Sequence, residues 1–201
     1  MQQIKVIWST IVLIGLYCGV LVMLPMNKKY HIRVHLLYFI FIILYAIDMN
    51  YGLISHSLLV DICAIIDLKV TIYAKPFKLY QNLISLNLLL CGLALTIIGW
   101  RQLYNNFWDK VKGSSQVIKT GLYRFIRHPQ YTGMLLIALS VVTNQLNMIY
   151  ILIYLMLVVL YYRLSKKEEN DLIKTFNEEY IQYKKTTHMF LPFIPKRKGD
   201  N

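Results

Sequence analysis

Three long stretches of this chain carry no formal charge, and they decide what it can fold into. The gaps between Lys5 and Lys28, between Lys78 and Arg101, and between Arg127 and Arg163 leave uncharged runs of 22, 22 and 35 residues. A helix needs about 20 mostly apolar residues to cross a bilayer. The rest of the composition agrees, with 57% hydrophobic and 16% charged residues where a soluble domain carries about 25% charged. Soluble enzymes, small secreted scaffolds and disordered tails are excluded. The fold class expected is all-α, a multi-pass membrane protein.

Five spans follow. The first covers residues 6–24 and stops before Pro25; it is too long for a signal-peptide core and lacks an obvious cleavage site, so it reads as a retained anchor. The second covers residues 34–48 and the third 79–100. The 35-residue run holds one polar knot, Thr143-Asn144-Gln145-Leu146-Asn147, which reads as a tight turn in a C-terminal helical hairpin. The first arm of that hairpin, residues 128–142, gives about 22 Å of helix against a hydrocarbon core of about 30 Å. His128 is thereby set at the edge of the lipid. Residues 52–78 are apolar but broken by Asp61 and Asp67, and fit an extension of the second helix or an interfacial helix.

The net charge of +12 would suggest nucleic acid in a soluble protein, but here membrane topology explains it. With the N-terminus outside, 18 of the 22 Lys and Arg fall on the inner side and 4 on the other, as the positive-inside rule requires. The C-terminus is then cytosolic, and no nucleic-acid partner is expected. The membrane itself, bacterial inner membrane or endoplasmic reticulum, stays open. Membrane lipids are expected partners of the tail Pro195-Lys196-Arg197-Lys198. The chain divides at residue 100 into N-terminal spans, 1–100, and a catalytic region, 101–201. Cys18, Cys63 and Cys91 read as small packing residues, with no metal-ligand spacing. Asp48 caps the second helix or faces a cavity in the bundle. His31, His35, His56 and His188 have no partner spacing and are given no chemistry.

Anchoring alone does not require what stands at 121–133. Gly121-Leu122-Tyr123-Arg124-Phe125-Ile126-Arg127-His128-Pro129-Gln130-Tyr131-Thr132-Gly133 packs Arg, His and Tyr against the opening of an apolar helix. Pro129 suits the first helical position and disfavours a helical residue before it. His128 becomes a helix cap, and the free N–H groups of the first turn make an anion site with Arg127 beside it. Arg124 reads as an interfacial anchor. Downstream, Lys166-Lys167-Glu168-Glu169 opens an amphipathic cytosolic helix running to about Lys185, with Leu172, Ile173, Phe176, Tyr180 and Tyr183 on one face. Glu169 falls at the centre of that stripe and Glu168 on its flank.

These features resemble the isoprenylcysteine carboxyl methyltransferase family, within a wider group of membrane methyltransferases that includes phospholipid methyltransferases. The resemblance rests on Gly121 and Tyr123, on Arg127-His128-Pro129-Gln130-Tyr131 with Gly133, on Glu168-Glu169, on Phe176-Asn177-Glu178-Glu179-Tyr180, on Tyr183-Lys184-Lys185 and on Leu191-Pro192-Phe193-Ile194. It covers roughly residues 116–195. It implies S-adenosylmethionine as methyl donor and a lipophilic acceptor entering from the bilayer, such as the carboxylate of a prenylated cysteine. It also implies that Tyr123, Arg127, His128, Pro129, Gln130 and Tyr131 line the cofactor site with the segment Ser115, Gln116, Val117 and Ile118. Glu168 corresponds to the acidic cofactor ligand, while helix geometry favours Glu169, and both are kept. The family's substrate arginine falls at Leu164 here; Arg163, one residue earlier, is the candidate catalytic residue in its place. Competing readings are a phospholipid or small-molecule methyltransferase, a non-catalytic membrane scaffold and a sterol-type membrane reductase.

Overall fold

The computed structural model describes residues 29–51, 74–107 and 117–191. The expected first span, the segment 52–73, Cys18, Cys63, Ser115, Gln116 and the basic tail lie outside the described residues. Five α-helices are seen among them: α1 (Lys29–Tyr51), α2 (Ala74–Phe107), α3 (Pro129–Gln145), α4 (Met148–Phe176) and α5 (Glu178–Thr186), with a 3-10 turn at Gly121–Arg124 before α3. Two are long and apolar enough to cross a membrane, through Leu79–Asn105 and Met148–Phe176, and α1 carries a shorter apolar stretch, Val34–Asp48.

Helix α2 is longer than its uncharged run because nothing in its flanks stops it; Pro76 falls in the first turn, where its missing N–H costs no hydrogen bond. Its burial is inside out. The buried stripe is Gln81, Ser85, Leu89, Gly92, Thr96 and Gly99, while Leu79, Leu83, Ile84, Leu90, Ile97 and Ile98 face outward. Water would reverse that pattern; lipid permits it, because small residues let helix backbones approach closely. Cys91 was expected to pack but is exposed, since it falls off this stripe.

Against the stripe lies α3. A Cβ added to Gly133 would meet Gly92 O at 2.6 Å and Thr96 N at 2.7 Å, so only glycine allows the contact. Further along, Ser85 Oγ donates to Ser140 O at 2.7 Å. Gln81 Nε2 donates to Thr143 O at 2.7 Å and Asn144 O at 3.0 Å. Asn144 also receives Tyr45 OH at 3.2 Å, and Tyr150 OH donates to Asp48 Oδ2 at 2.9 Å. Asp48 therefore faces the bundle.

The tight turn expected within the polar knot is present and short: α3 continues through Gln145, Leu146 takes φ 44°, and Asn147 caps α4 by accepting from Ile149 N at 2.8 Å. One expectation is corrected: no separate amphipathic helix starts at Lys166. Helix α4 runs unbroken to Phe176 because no glycine or proline interrupts it. The break comes at Asn177, whose φ of 46° and ψ of −125° cannot continue a helix, and α5 follows.

Candidate functional site

The backbone before α3 is built to aim His128 inward. Gly121 has φ +60°, and a Cβ there would lie 2.6 Å from Gln102 Cδ; that side chain's Oε1 accepts from Leu122 N at 3.0 Å. The turn buries Tyr123, whose hydroxyl donates to Gly99 O at 3.3 Å. Pro129 opens α3, and His128 is its N-cap residue by position, with φ −126° and ψ 63°, but makes no side-chain capping bond. Its ring stacks on Tyr131 instead, with centroids 5.6 Å apart and planes 7° from parallel. Its Nδ1 lies 3.4 Å from Glu168 Oε2 and its Nε2 3.5 Å from Glu169 Oε1.

The two glutamates sit one residue apart on α4 and have different neighbours. Glu169 is fully buried. Arg127 Nε donates to its Oε1 at 2.7 Å and Lys184 Nζ lies 3.1 Å from its Oε2. A buried carboxylate demands such partners. Glu168 keeps 17% of its side chain exposed, and its Oε1 accepts from Tyr131 OH at 2.6 Å. Burial alone would lower the His128 pKa, but hydrogen bonds and charge from Glu168 and Glu169 outweigh it and hold the pKa above the ordinary 6.5. The two carboxylates thus favour the protonated imidazole that sits between them.

A strap from the end of α5 closes over this cluster. Arg127 N donates to His188 O at 2.8 Å, His128 N to Met189 O at 3.2 Å and Thr132 Oγ1 to Phe190 O at 3.2 Å. The Arg127 guanidinium also donates to the carbonyls of Thr187 and Lys184. Tyr183 OH, whose pKa burial pushes up to about 12 against the opposing charge of Arg127, donates to Tyr123 O at 2.6 Å.

Tyr123, Arg127, His128, Pro129, Gln130, Tyr131 and Glu169 are thus brought together as buried neighbours, with Glu168 at the edge. Val117 and Ile118 are partly buried on the segment leading into the turn. Arg127 is committed to Glu169 and the strap, so its charge is not open to an incoming anion. Arg163 is exposed, on the face of α4 away from Tyr161, Leu164, Ser165 and Glu169. Gln130 Nε2 and Ser165 Oγ are buried without a hydrogen-bond partner.

Sequence reasoning missed three participants. Lys184 entered only as part of the segment Tyr183-Lys184-Lys185 and was given no role, and the strap carries no motif of its own. His35 is fully buried, with its ring 5.9 Å from Tyr131 and 5.7 Å from Tyr161; a histidine on an apolar face in a membrane helix was the available signal.

Known proteins resemble this region. Residues 84–174 match the isoprenylcysteine carboxyl methyltransferase (ICMT) family model. The chain is 30% identical over 133 residues to the protein-S-isoprenylcysteine O-methyltransferase of Saccharomyces cerevisiae, covering 64% of this chain and 55% of that one. It is 34% identical over 99 residues to the Homo sapiens protein of the same name, covering 48% and 35%. It is also 28% identical over 109 residues to the methanethiol S-methyltransferase of Crocosphaera subtropica, covering 50% and 39%. The chain spans about half the length of these relatives or less. No solved structure matches it.

Proposed function

We propose that this chain, which matches the isoprenylcysteine carboxyl methyltransferase family across residues 84–174, transfers a methyl group from S-adenosylmethionine to a lipophilic acceptor at the membrane–cytosol interface. The leading acceptor is a carboxylate such as that of a prenylated cysteine. The observation that carries this reading is the asymmetry of the glutamates: Glu169 is fully buried and ion-paired with Arg127 and Lys184, whereas Glu168 is partly exposed beside aromatic rings.

The residues fit the cofactor. Glu168 suits its ammonium. Tyr131 and Tyr123 suit the adenine or the sulfonium. Gln130, with its buried amide lacking a partner, is a donor for the carboxylate. When bound, the cofactor supplies an electrophilic methyl group. An acceptor carboxylate is already ionised at neutral pH, so no general base is needed. What remains for the protein is orientation and exclusion of water. Tyr131, tied to Glu168 and stacked on His128, holds that carboxylate in one place. The strap Thr187–Phe190 keeps solvent from His128. Five spans, with the N-terminus outside and the C-terminus cytosolic, would set the cluster at the lipid edge, where a prenyl or acyl tail reaches it sideways.

A second reading, a thiol acceptor, draws on Arg163. With that side chain on the exposed face, the described residues put no arginine on the site face of α4, and one relative is named for methylating methanethiol. Radiolabelled S-adenosylmethionine offered with a prenylcysteine analogue, a small alkyl thiol or total lipid extract tests both. Label in the prenylcysteine supports the leading reading and label in the thiol the second. Label in the lipid extract alone indicates a phospholipid methyltransferase. Cofactor binding without transfer to any of them contradicts the proposal.

A further inference from the structure

A second concavity lies outside this cluster. Its volume is about 280 Å³, and it is lined by Lys119 and Arg124 from the segment before α3 and by Gln182, Tyr183, Thr186 and Thr187 from the end of α5. No carboxylate lines it, and of its lining residues only Tyr183 and Thr187 also touch the cluster, through Tyr123 O and the Arg127 guanidinium.

Its hydrogen-bonding capacity is mostly accounted for. The Thr186 and Thr187 hydroxyls donate to Tyr183 O at 3.0 and 2.7 Å, and the Gln182 amide donates to Glu178. The charge is not balanced to the same degree. Lys119 Nζ is paired with Glu179 at 2.9 Å. Arg124 is exposed and makes no ion pair among the described residues; its guanidinium lies 6.0 Å from the centroid of the Phe125 ring, itself 57% exposed. A guanidinium fork with no ion pair among the described residues recognises phosphate oxygens better than any neutral group does. The volume sits at the low end for small-ligand sites, about 300 Å³ and above, which suits a head group. An exposed phenyl ring under the arginine is the arrangement expected where a cation meets a lipid surface.

We infer that this cavity is an anion site for a phosphate group, held by Arg124 with Lys119, and carried either by an anionic lipid head group or by a soluble phosphate. The site stands independently of the methyltransferase reading, and its test needs no methyl acceptor.

The test uses the full chain purified in detergent. Native mass spectrometry measures retention of phosphatidic acid against phosphatidylcholine, and calorimetry measures binding of inorganic phosphate. Preferential retention of phosphatidic acid, falling roughly tenfold or more in Arg124→Gln and partly restored in Arg124→Lys, supports the lipid source. Saturable binding of inorganic phosphate with the same dependence on Arg124 supports the soluble source. Lys119→Gln should weaken either one less, because Glu179 already neutralises that ammonium. Arg124 is exposed, so these variants should melt as the parent does. No binding of either probe, or binding that Arg124→Gln and Lys119→Gln leave unchanged, overturns the assignment.

Discussion

The seam between α2 and α3 and the cluster around Glu169 are two ways of holding helices together in one small chain. Along the seam, Gly92, Thr96, Gly99 and Gly133 bring backbones close, and the bonds that cross it, such as Ser85 to Ser140 O, are neutral. Around Glu169 the ties are charged, from Arg127, Lys184 and His128, and they are reinforced by backbone bonds to the strap. Apolar side chains gain little by leaving lipid, so packing of small residues must join the seam. At the polar end of α4, ion pairs can be assembled from water and then covered. The cohesion of the candidate site is therefore electrostatic, and the platform beneath it is steric.

The largest effect expected is on the charged side. Arg127→Met would leave the fully buried Glu169 short of its closest partner, and breaking a buried pair by removing one member costs about 3–5 kcal/mol. Thermal unfolding in micelles should show that loss, and the double variant Arg127→Met with Glu169→Leu should recover much of it. If the single variant melts like the parent, the cluster is not held by charge.

A smaller loss is expected on the steric side. Gly133→Val drives a side chain into Gly92 O and the Thr96 backbone, and overpacking of this kind costs about 1–3 kcal/mol. Cys91→Leu, one residue off the seam on the outer face, should change nothing measurable. Equal effects at the two positions would mean that the inside-out burial of α2 is not what fixes it.

A still smaller effect concerns pH. The folded pKa of His128 is raised, so its contribution to stability is complete below the ordinary histidine value and is lost as pH rises through the folded one. Melting temperature should therefore fall on alkaline titration above the ordinary histidine range. His128→Gln should flatten that part of the profile. A parent profile that is already flat there would mean the imidazole is neutral between the two glutamates.

What was legible in the sequence follows the same division. The uncharged runs marked α2 and the α3–α4 pair because an apolar helix long enough to cross a bilayer excludes charge over about 20 residues, a length that α2 and α4 reach. Pro129 fixed the start of α3 because its ring tolerates only the first turn. The break at Asn177 was hidden, since Phe-Asn-Glu-Glu reads as continuous helix and only a positive φ betrays it. The commitment of Arg127 was hidden too. Nothing local shows that the Glu169 carboxylate and the carbonyls of Lys184 and Thr187 converge on the one guanidinium of Arg127, because those contacts span 42 to 60 residues. The difference between Glu168 and Glu169 was legible, because 100° of helical rotation puts Glu169 on the apolar stripe and in the core and leaves Glu168 at its edge.

That difference is also where the account is most directly tested. The central claim is that Glu168 receives the cofactor's ammonium while Glu169 holds the cluster together. Dissociation constants for S-adenosylmethionine in nanodiscs, read beside melting temperatures, separate the two roles. Glu168→Gln should weaken binding roughly 10- to 150-fold, the loss of a bond worth about 1.5–3 kcal/mol, with melting unchanged. Glu169→Gln should lower the melting temperature instead. Binding that depends on Glu169 and ignores Glu168, in variants that melt as the parent does, would contradict the account.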